Sequence, residues 1–326
     1  MIRLAGVLFV GAAILSATVA FAGEIPTLKV GVLQSGTVEW ELDVIRHHGL
    51  DKANGIELEV VGFAGNQATK IALQAGEVDM IVTDWLWVTR QRAEDVDWTF
   101  IPYSRAVGAL VVPANSPVRS LSDLKGKKVG IAGGPLDKSW LLLRALALKE
   151  HGFDLTKETE QVFGAPPLLN RQIEEGNIDA VINFWHFIAR LEAKGYRRVV
   201  GVGDALNHLG VTSDVPMLGY VFSEKWANAN EDTVLGFAAA SHAAKEILRS
   251  SNDEWERLRP KTKAGNDQTL AALRDGFRAG IPAHWGEVER ADSRKVFGIL
   301  AELGGRKLIG ESDNLQPGTF WRAVMY

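Results

Sequence analysis

The stretch "AGEVDMIVTDWLWVTR" occupies residues 75–90, and "EGNIDAVINFWHFIAR" occupies residues 175–190. When the two segments are aligned without gaps, identical residues coincide at four places: Gly76/Gly176, Asp79/Asp179, Trp85/Trp185 and Arg90/Arg190. Further upstream, "LKVGVLQSG" (28–36) lies over "KKVGIAGGP" (127–135) in nearly the same register. This repeat is far longer than the roughly 20 to 50 residues of a solenoid or propeller unit, so it predicts two copies of one domain.

The composition is that of a globular protein with material for two cores: 326 residues, 46% of them hydrophobic and 23% charged. The formal net charge is -4, which argues against a nucleic-acid partner, because such a partner selects a strongly basic surface. There are no cysteines, which excludes a disulfide framework, a thiolate zinc site and a lipid anchor on cysteine.

Residues 1–22 have the pattern of a cleavable secretory signal peptide. Arg3 precedes an apolar stretch from Leu4 to Val19, and "AFA" supplies small residues for cleavage after Ala22. The alternative is a membrane anchor, since the stretch approaches spanning length. The glycines, the alanines and the cleavage site favour a signal peptide, so we expect the mature protein to be free in the periplasm.

After the signal, apolar runs and helical spacings alternate. Strands are expected at 27–33, 56–63 and 78–83, with helices between them, the second capped by Asn66. The second copy repeats this order, with Pro135 expected in the first turn of its first helix, and the end of the chain is helical. A β-α-β-α-β order requires a mostly parallel sheet, and ligands of such sheets bind beyond the carboxyl ends of the strands. Two such domains therefore predict a ligand cleft between them.

Five quoted segments resemble the substrate-binding proteins of ABC importers of the nitrate/sulfonate/taurine type, a group that includes binders of thiamin-precursor pyrimidines. They are "LKVGVLQSG", "IALQAGEVDMIVTD", "SPVRSLSDLKGKKVGIAGG", "LLNRQIEEGNIDAVI" and "LAELGGRKLIG". The resemblance implies a two-lobed type II periplasmic-binding-protein fold: two mostly parallel α/β domains joined by two hinge strands, with a helical C-terminal tail. The expected divisions are residues 1–22 (signal), 23–105 (lobe I), 106–218 (lobe II) and 219–326 (return to lobe I and C-terminal helices).

The resemblance also implies where the ligand binds, namely the loops after the first and third strands of each lobe and the helix starts that follow. The candidate ligand-binding residues in those loops are Ser35, Thr37, Glu39, Trp40, Asn66, Asp84, Trp85, Trp87, Asp137, Lys138, Trp140, Asn183, Trp185 and His186.

Two features of these loops suggest the ligand's chemistry. Half of the ten tryptophans fall in them, and Lys138 is their only basic residue beside several carboxylates. An aromatic, neutral to acidic cleft favours a planar nitrogen heterocycle or an organic amine, because carboxylates attract cations and aromatic faces stack on rings. Trp85 and Trp185 stand at equivalent places, either as ligand walls facing each other or as plugs of the lobe cores.

Other functions stay open at this stage. The carboxylates could hold a hard metal cation or a metal chelate, or the cleft could bind a small anion such as a sulfonate or nitrate. No pair of histidines has a metal-binding spacing, so no metal-ligand histidines are proposed, and His186 is either a ligand contact or a packed residue.

The chain also lacks the usual signatures of catalysis. There is no G-x-S-x-G, H-E-x-x-H or P-loop motif, and the pyrimidine synthases on this scaffold use a cysteine-rich motif, so we expect neither an enzyme nor a cofactor. The expected partners are a membrane permease with its cytoplasmic ATPase, or a membrane sensor as an alternative, and we expect a monomer.

Overall fold

A computed structural model describes residues 25–326, and the predicted signal peptide at 1–22 lies outside that range. The strands, numbered in chain order, form two sheets of five. The first sheet contains β1 (Thr27–Leu33), β2 (Glu57–Phe63), β3 (Met80–Asp84), β4 (Trp98–Ser104) and β10 (Leu218–Ser223). The second contains β5 (Gly108–Val112), β6 (Lys128–Ala132), β7 (Glu160–Gly164), β8 (Ala180–Phe184) and β9 (Arg197–Gly201).

Fourteen α-helices flank these sheets within the described range, and a short 3₁₀-helix spans Leu121–Leu124. Those of the first half are α1 (Val38–His47), α2 (Leu50–Ala53), α3 (Asn66–Gln74), α4 (Trp85–Arg92), α5 (Lys138–His151), α6 (Leu155–Glu158) and α7 (Pro166–Glu174). The others are α8 (Trp185–Glu192), α9 (Val202–His208), α10 (Glu224–Ala229), α11 (Glu231–Ser250), α12 (Asn252–Thr262), α13 (Asp267–Gly280) and α14 (Glu287–Ile309). Lobe I is the first sheet with α1–α4 and α10–α14, and lobe II is the second sheet with α5–α9.

The two sheets have the same architecture, as the repeat predicts. Their strand orders are β2-β1-β3-β10-β4 and β7-β6-β8-β5-β9, with the first three strands of each parallel. The fourth strand in the order of each sheet, β10 in the first and β5 in the second, is antiparallel to both of its neighbours. The chain reaches each of these two strands directly after it crosses from the other lobe. The chain crosses at 105–107 and returns through 209–217. The predicted two-lobed α/β fold is therefore confirmed.

The repeated residues explain part of this symmetry. Asp79 accepts a hydrogen bond from the backbone N–H of Lys29 at 2.8 Å, and Asp179 does the same with Lys128 at 2.8 Å. Asp79 thereby fixes the start of β1 beside β3, and Asp179 fixes the start of β6 beside β8. Gly76 and Gly176 both have φ near 73°, a conformation that favours glycine after a helix end.

Two local predictions about helix starts are wrong. Asn66 is the first residue of α3 rather than its cap, and Gly65 takes the cap position without a side-chain hydrogen bond. Pro135 lies before α5, whose N-cap is Asp137, because that carboxylate accepts from the Trp140 backbone N–H. Aspartate is the better cap, since its side chain satisfies an N–H that the helix itself leaves unpaired.

Outside the crossovers the lobes pack against each other at several places, two of which are apolar. Leu141 and Leu142 of α5 share a buried apolar cluster with Phe297 and Leu300 of α14. Trp185, at the start of α8, packs edge to face against Trp40 of lobe I, with ring centroids 6.0 Å apart. No helix among residues 25–326 has both the length and the apolar character needed to cross a membrane.

Candidate functional site

A cavity of about 520 Å³ lies between the lobes, at the carboxyl ends of β1, β3 and β8 and at the start of α5. Two other cavities measure about 420 and 250 Å³. Of the predicted site residues, the cleft brings together Thr37, Asn66, Asp84, Trp87, Asp137, Lys138, Trp185 and His186. Ligand-binding pockets of roughly 300–1,000 Å³ are typical for small organic molecules, so the volume suits an organic solute.

Asp84 and Lys138 form an ion pair that links the lobes across this cleft. The Lys138 Nζ donates to Asp84 Oδ2 at 2.8 Å, while Asp84 Oδ1 accepts from the backbone N–H of Trp87 at 3.0 Å. Burial opposes ionisation of Asp84, but Lys138 and Lys70 outweigh it and hold the pKa of Asp84 below its usual value. Burial likewise disfavours charged Lys138, yet Asp84 raises the pKa of Lys138. Both groups are therefore charged at neutral pH, and the pair is neutral overall.

Asp137 is the other carboxylate of the cleft. Its Oδ1 accepts from the Trp140 backbone N–H at 3.1 Å and caps α5. Burial raises the pKa of Asp137, and the Trp140 N–H and Lys138 offset that rise only in part. Both carboxylates that line the cleft are thus already engaged by protein groups.

Three further cationic side chains line the cleft: Lys70, Arg90 and Lys307. Lys70 stands over the ring of Trp87, 4.8 Å from its centroid, and burial lowers the pKa of Lys70. No carboxylate of the described residues lies within 4.0 Å of the Lys70 or Lys307 ammonium group. Arg90 differs, because its Nε lies 4.0 Å from Glu94 Oε1, although the same Nε is buried without a hydrogen-bond partner among the described residues. With Lys138, four cations face two carboxylates. The expectation of a neutral to acidic cleft is therefore wrong.

Three helices begin at the cleft without a capping side chain. These are α1, α3 and α8, whose first turns contribute Thr37, Asn66 and His186 to the lining. The backbone N–H groups of a helix start attract anions, because they are unpaired and the helix dipole is positive there. The helices α4 and α5 differ, since aspartates occupy their starts.

His186 is a neutral polar group at the lobe II side of the cleft. Burial, aided by the charge of Arg190, lowers the pKa of His186 to about 4. Its Nδ1 is buried and has no hydrogen-bond partner within residues 25–326. An unpaired buried nitrogen costs free energy, so a ligand that bonds to it gains accordingly.

The structure separates the tryptophans into two groups. Trp87 and Trp185 line the cleft, and Trp87 also stacks on Trp98 with centroids 6.3 Å apart. Trp85 is fully buried and its Nε1 donates to the Pro216 carbonyl at 3.1 Å, so Trp85 and Trp185 do not face each other across the gap.

The remaining tryptophan candidates are core residues. Trp40 packs against Trp255 within lobe I. Trp140 lies in the core of lobe II, because its position one turn into α5 points it at the sheet. Neither ring lines the cleft.

Three polar candidates also lie elsewhere. Ser35 is exposed outside the cleft lining. Glu39 points to the outer side of lobe I, where it pairs with Lys261 at 2.9 Å. Asn183 is buried, and its Nδ2 donates to the Pro166 carbonyl at 2.9 Å and to Asn170 Oδ1 at 2.8 Å, so it positions α7 against β8.

Sequence reasoning missed Lys70, Arg90 and Lys307. For Lys70 a signal existed, because it lies one helical turn after Asn66 and therefore on the same helix face. Arg90 likewise follows Leu86 by one turn, on a face of α4 that lines the cleft. Lys307 comes from the distant end of α14, and no local pattern connects it with the repeat. Within residues 25–326 no group of three or more His, Asp or Glu side chains is placed to hold a metal ion.

The sequence profile of the family described as "NMT1/THI5 like" matches residues 44–254, which is more than half of the chain. The chain belongs to this family. It is a family of ABC-transporter substrate-binding proteins that bind solutes and carry out no catalysis. The predicted resemblance is thereby confirmed, and so is the expectation that the protein is not an enzyme.

Relatives within the family include a protein of Escherichia coli (strain K12) named "Putative aliphatic sulfonates-binding protein", 25% identical over 207 residues. That alignment covers 63% of this chain and 61% of the relative, so the match spans less than two thirds of the relative's length.

Solved structures agree on the fold. The periplasmic aliphatic sulphonate binding protein of Escherichia coli superposes with a TM-score of 0.72 at 20% identity, over 91% of this chain and 92% of that one. The alkanesulfonate-binding protein of Xanthomonas axonopodis pv. citri, bound to MOPS, gives 0.68 at 17% identity, over 92% and 100%. The periplasmic nitrate-binding protein of Synechocystis PCC 6803 gives 0.56 at 12% identity, over 81% and 71%.

Proposed function

We propose that the protein is the solute receptor of an ABC importer and that its solute is an organic anion with a sulfonate-like head and an apolar tail. The observation that carries this proposal is the excess of cations in the cleft. Lys138 is neutralised by Asp84, and Arg90 lies 4.0 Å from Glu94. Lys70 and Lys307 line the cleft with no carboxylate of the described residues within 4.0 Å, so they are free to face a ligand. The excess of cations therefore favours a small anion, the alternative left open by the sequence, over the amine or nitrogen heterocycle that the sequence favoured.

The backbone supports the same choice. No side chain caps the starts of α1, α3 and α8 at the cleft, and the N–H groups of a helix start bind oxyanions without further charge. An amine would need a free carboxylate, but Asp84 and Asp137 already accept hydrogen bonds from Lys138 and from backbone N–H groups. A cation would therefore lose its hydration and would have to share these carboxylates with the groups that already bind them.

The size and lining of the cleft favour an organic anion over nitrate. A cavity of about 520 Å³ is many times larger than the roughly 30 Å³ share of one water molecule, and nitrate is only a few atoms. Leu136 and Phe184 of lobe II present apolar surface to the cleft, as does Leu308 of lobe I. The cations other than Lys138 all come from lobe I. We therefore place the head against Lys70 and Arg90 and the tail against Leu136 and Phe184.

The two-lobed fold supports a role in transport. A solute that contacts both lobes stabilises the closed form, because only that form offers both sets of contacts. The solved proteins of Escherichia coli and Synechocystis PCC 6803 are named as periplasmic. We propose that this chain acts in the same compartment, after removal of residues 1–22, as a monomer that delivers its solute to a membrane permease with a cytoplasmic ATPase.

The test is isothermal titration calorimetry of the mature protein with two solutes of equal tail length, hexane-1-sulfonate and hexylammonium. We expect the sulfonate to bind and the ammonium ion to give no heat of binding. Shortening the sulfonate to butane should weaken binding about fourfold for each methylene, if each buried methylene contributes about 0.8 kcal/mol. Binding of hexylammonium without binding of hexane-1-sulfonate would refute the proposal.

A further inference from the structure

The C-terminal end of α14 departs from a straight helix. At Gly305 the backbone has φ 55° and ψ -162°, and the helix resumes for one turn before Gly310, which has φ 60° and ψ -135°. These angles lie close to a region that essentially only glycine adopts. The two glycines therefore set the course of residues 304–310, which we name the C-terminal arm.

The arm is anchored on lobe I. A Cβ atom at Gly310 would lie 2.9 Å from the Nε of Arg90, so glycine lets the arm pass directly over that side chain. Just beyond the arm, the backbone N–H of Gln316 donates to Thr89 Oγ1 at 2.6 Å. The helix before the arm packs on lobe II, where Leu300 shares a buried cluster with Leu141. The arm thus stands at a place where both lobes meet.

Two neighbouring cations of the arm point in different directions. Arg306 turns outward and donates to Asp313 at 2.7 Å. Lys307 lines the interlobe cleft, and no carboxylate among residues 25–326 lies within 4.0 Å of its ammonium group. Leu308, half-buried, lines the cleft beside it. The kink at Gly305 therefore positions Lys307, a cation without a carboxylate partner among residues 25–326, and the apolar Leu308 in the cleft lining.

We propose that the C-terminal arm is a third ligand-binding element, in addition to the loops of the two lobes, and that Lys307 is a specificity-determining residue that contacts the anionic head of the solute. Leu308 contributes to the apolar surface for the tail. This inference rests on the proposed function, because it gives Lys307 a sulfonate to bind.

The experiment compares Lys307→Gln with Arg306→Gln in the mature full-length chain, with hexane-1-sulfonate as the probe in isothermal titration calorimetry. Both substitutions remove one positive charge from adjacent positions, so they match in net charge and in place along the chain, while only Lys307 lines the cleft. We expect Lys307→Gln to raise the Kd about tenfold, as for the loss of one hydrogen bond to a charged group, and Arg306→Gln to change it less than twofold.

A second readout tests the apolar part of the arm. We expect Leu308→Ala to weaken binding of hexane-1-sulfonate by more than it weakens binding of methanesulfonate, since only the longer solute reaches an apolar wall. Equal losses with both solutes would contradict that role.

The outcomes separate the inference from the proposed function. If the unmodified protein binds hexane-1-sulfonate and Lys307→Gln binds it equally well, the role of the arm is refuted while the proposed function stands. Equal losses in Lys307→Gln and Arg306→Gln would also refute it, because they would indicate general attraction rather than contact. If the unmodified protein binds no alkanesulfonate, the proposed function and the inference both fall.

Discussion

Closure of the lobes should depend on the ion pair between Asp84 and Lys138. Asp84 ends β3 of lobe I and Lys138 begins α5 of lobe II, so opening the cleft separates their charges. At 2.8 Å the attraction is about 6 kcal/mol for an effective dielectric constant near 20, before desolvation is subtracted. Because the Lys138 side chain is 30% exposed, solvent screens part of this, and we expect a net coupling of about 1–3 kcal/mol.

The assay is a double-mutant cycle on the affinity for hexane-1-sulfonate, with Asp84→Asn, Lys138→Met and the combination. Lys138→Met alone should weaken binding most, since it leaves a buried carboxylate near an anionic solute. Asp84→Asn alone should weaken binding less, because the added excess of positive charge offsets part of the loss of the ion pair. The cycle cancels these separate charge effects and leaves the coupling between the two side chains.

The control is a second cycle on Lys194 and Glu174, an ion pair of 2.6 Å on the surface of lobe II with side chains 56% and 35% exposed. It should give a coupling near zero, because both members move with one lobe. A coupling for Asp84 and Lys138 no larger than that of the control would refute the reasoning.

Two further predictions concern the lobe contact and pH. A Cβ at Gly276 would lie 2.9 Å from the Trp185 ring, so Gly276→Ala should force α13 and α8 apart. We expect this variant to weaken hexane-1-sulfonate binding by about 1–3 kcal/mol in calorimetry. The control is Gly298→Ala, whose added Cβ meets nothing within 4 Å and which should leave binding unchanged. The lowered pKa of His186, about 4, means that the unfolded chain binds the proton more readily, so stability should fall as pH drops from about 6.5 towards 4. At pH 5 the loss in urea unfolding should be at most about 2 kcal/mol and should be smaller in His186→Gln; an unchanged pH profile in that variant would contradict this.

The fold could be predicted from the sequence because several of the residues shared by the two copies have structural roles. Asp79 and Asp179 bind equivalent strand starts, and Gly76 and Gly176 end equivalent helices, so these pairs stay alike. The tryptophan pair, by contrast, has two different roles. Trp85 is sealed inside lobe I, whereas Trp185 reaches the cleft, and the sequence alone left both roles open.

The site was harder to predict for a physical reason. Which side chain of a loop faces the cleft depends on the rotation of the helix that follows, so Trp140 turned into a core while Lys138, two residues earlier, reached the cleft. The charge of the site also depended on residues beyond the loops. Lys70 lies one turn after Asn66 in α3, and Lys307 is positioned by the kink at Gly305, which no short sequence motif predicts.

We propose that the cleft holds an organic anion with its head on the lobe I cations and its tail beside lobe II. A crystal structure with 6-bromohexane-1-sulfonate tests this orientation, because anomalous scattering locates the sulfur and bromine atoms separately. We expect the sulfur among Lys70, Arg90 and Lys307 and the bromine beside Leu136 and Phe184. The reverse orientation, or density for the probe only outside the interlobe cleft, would overturn the proposal.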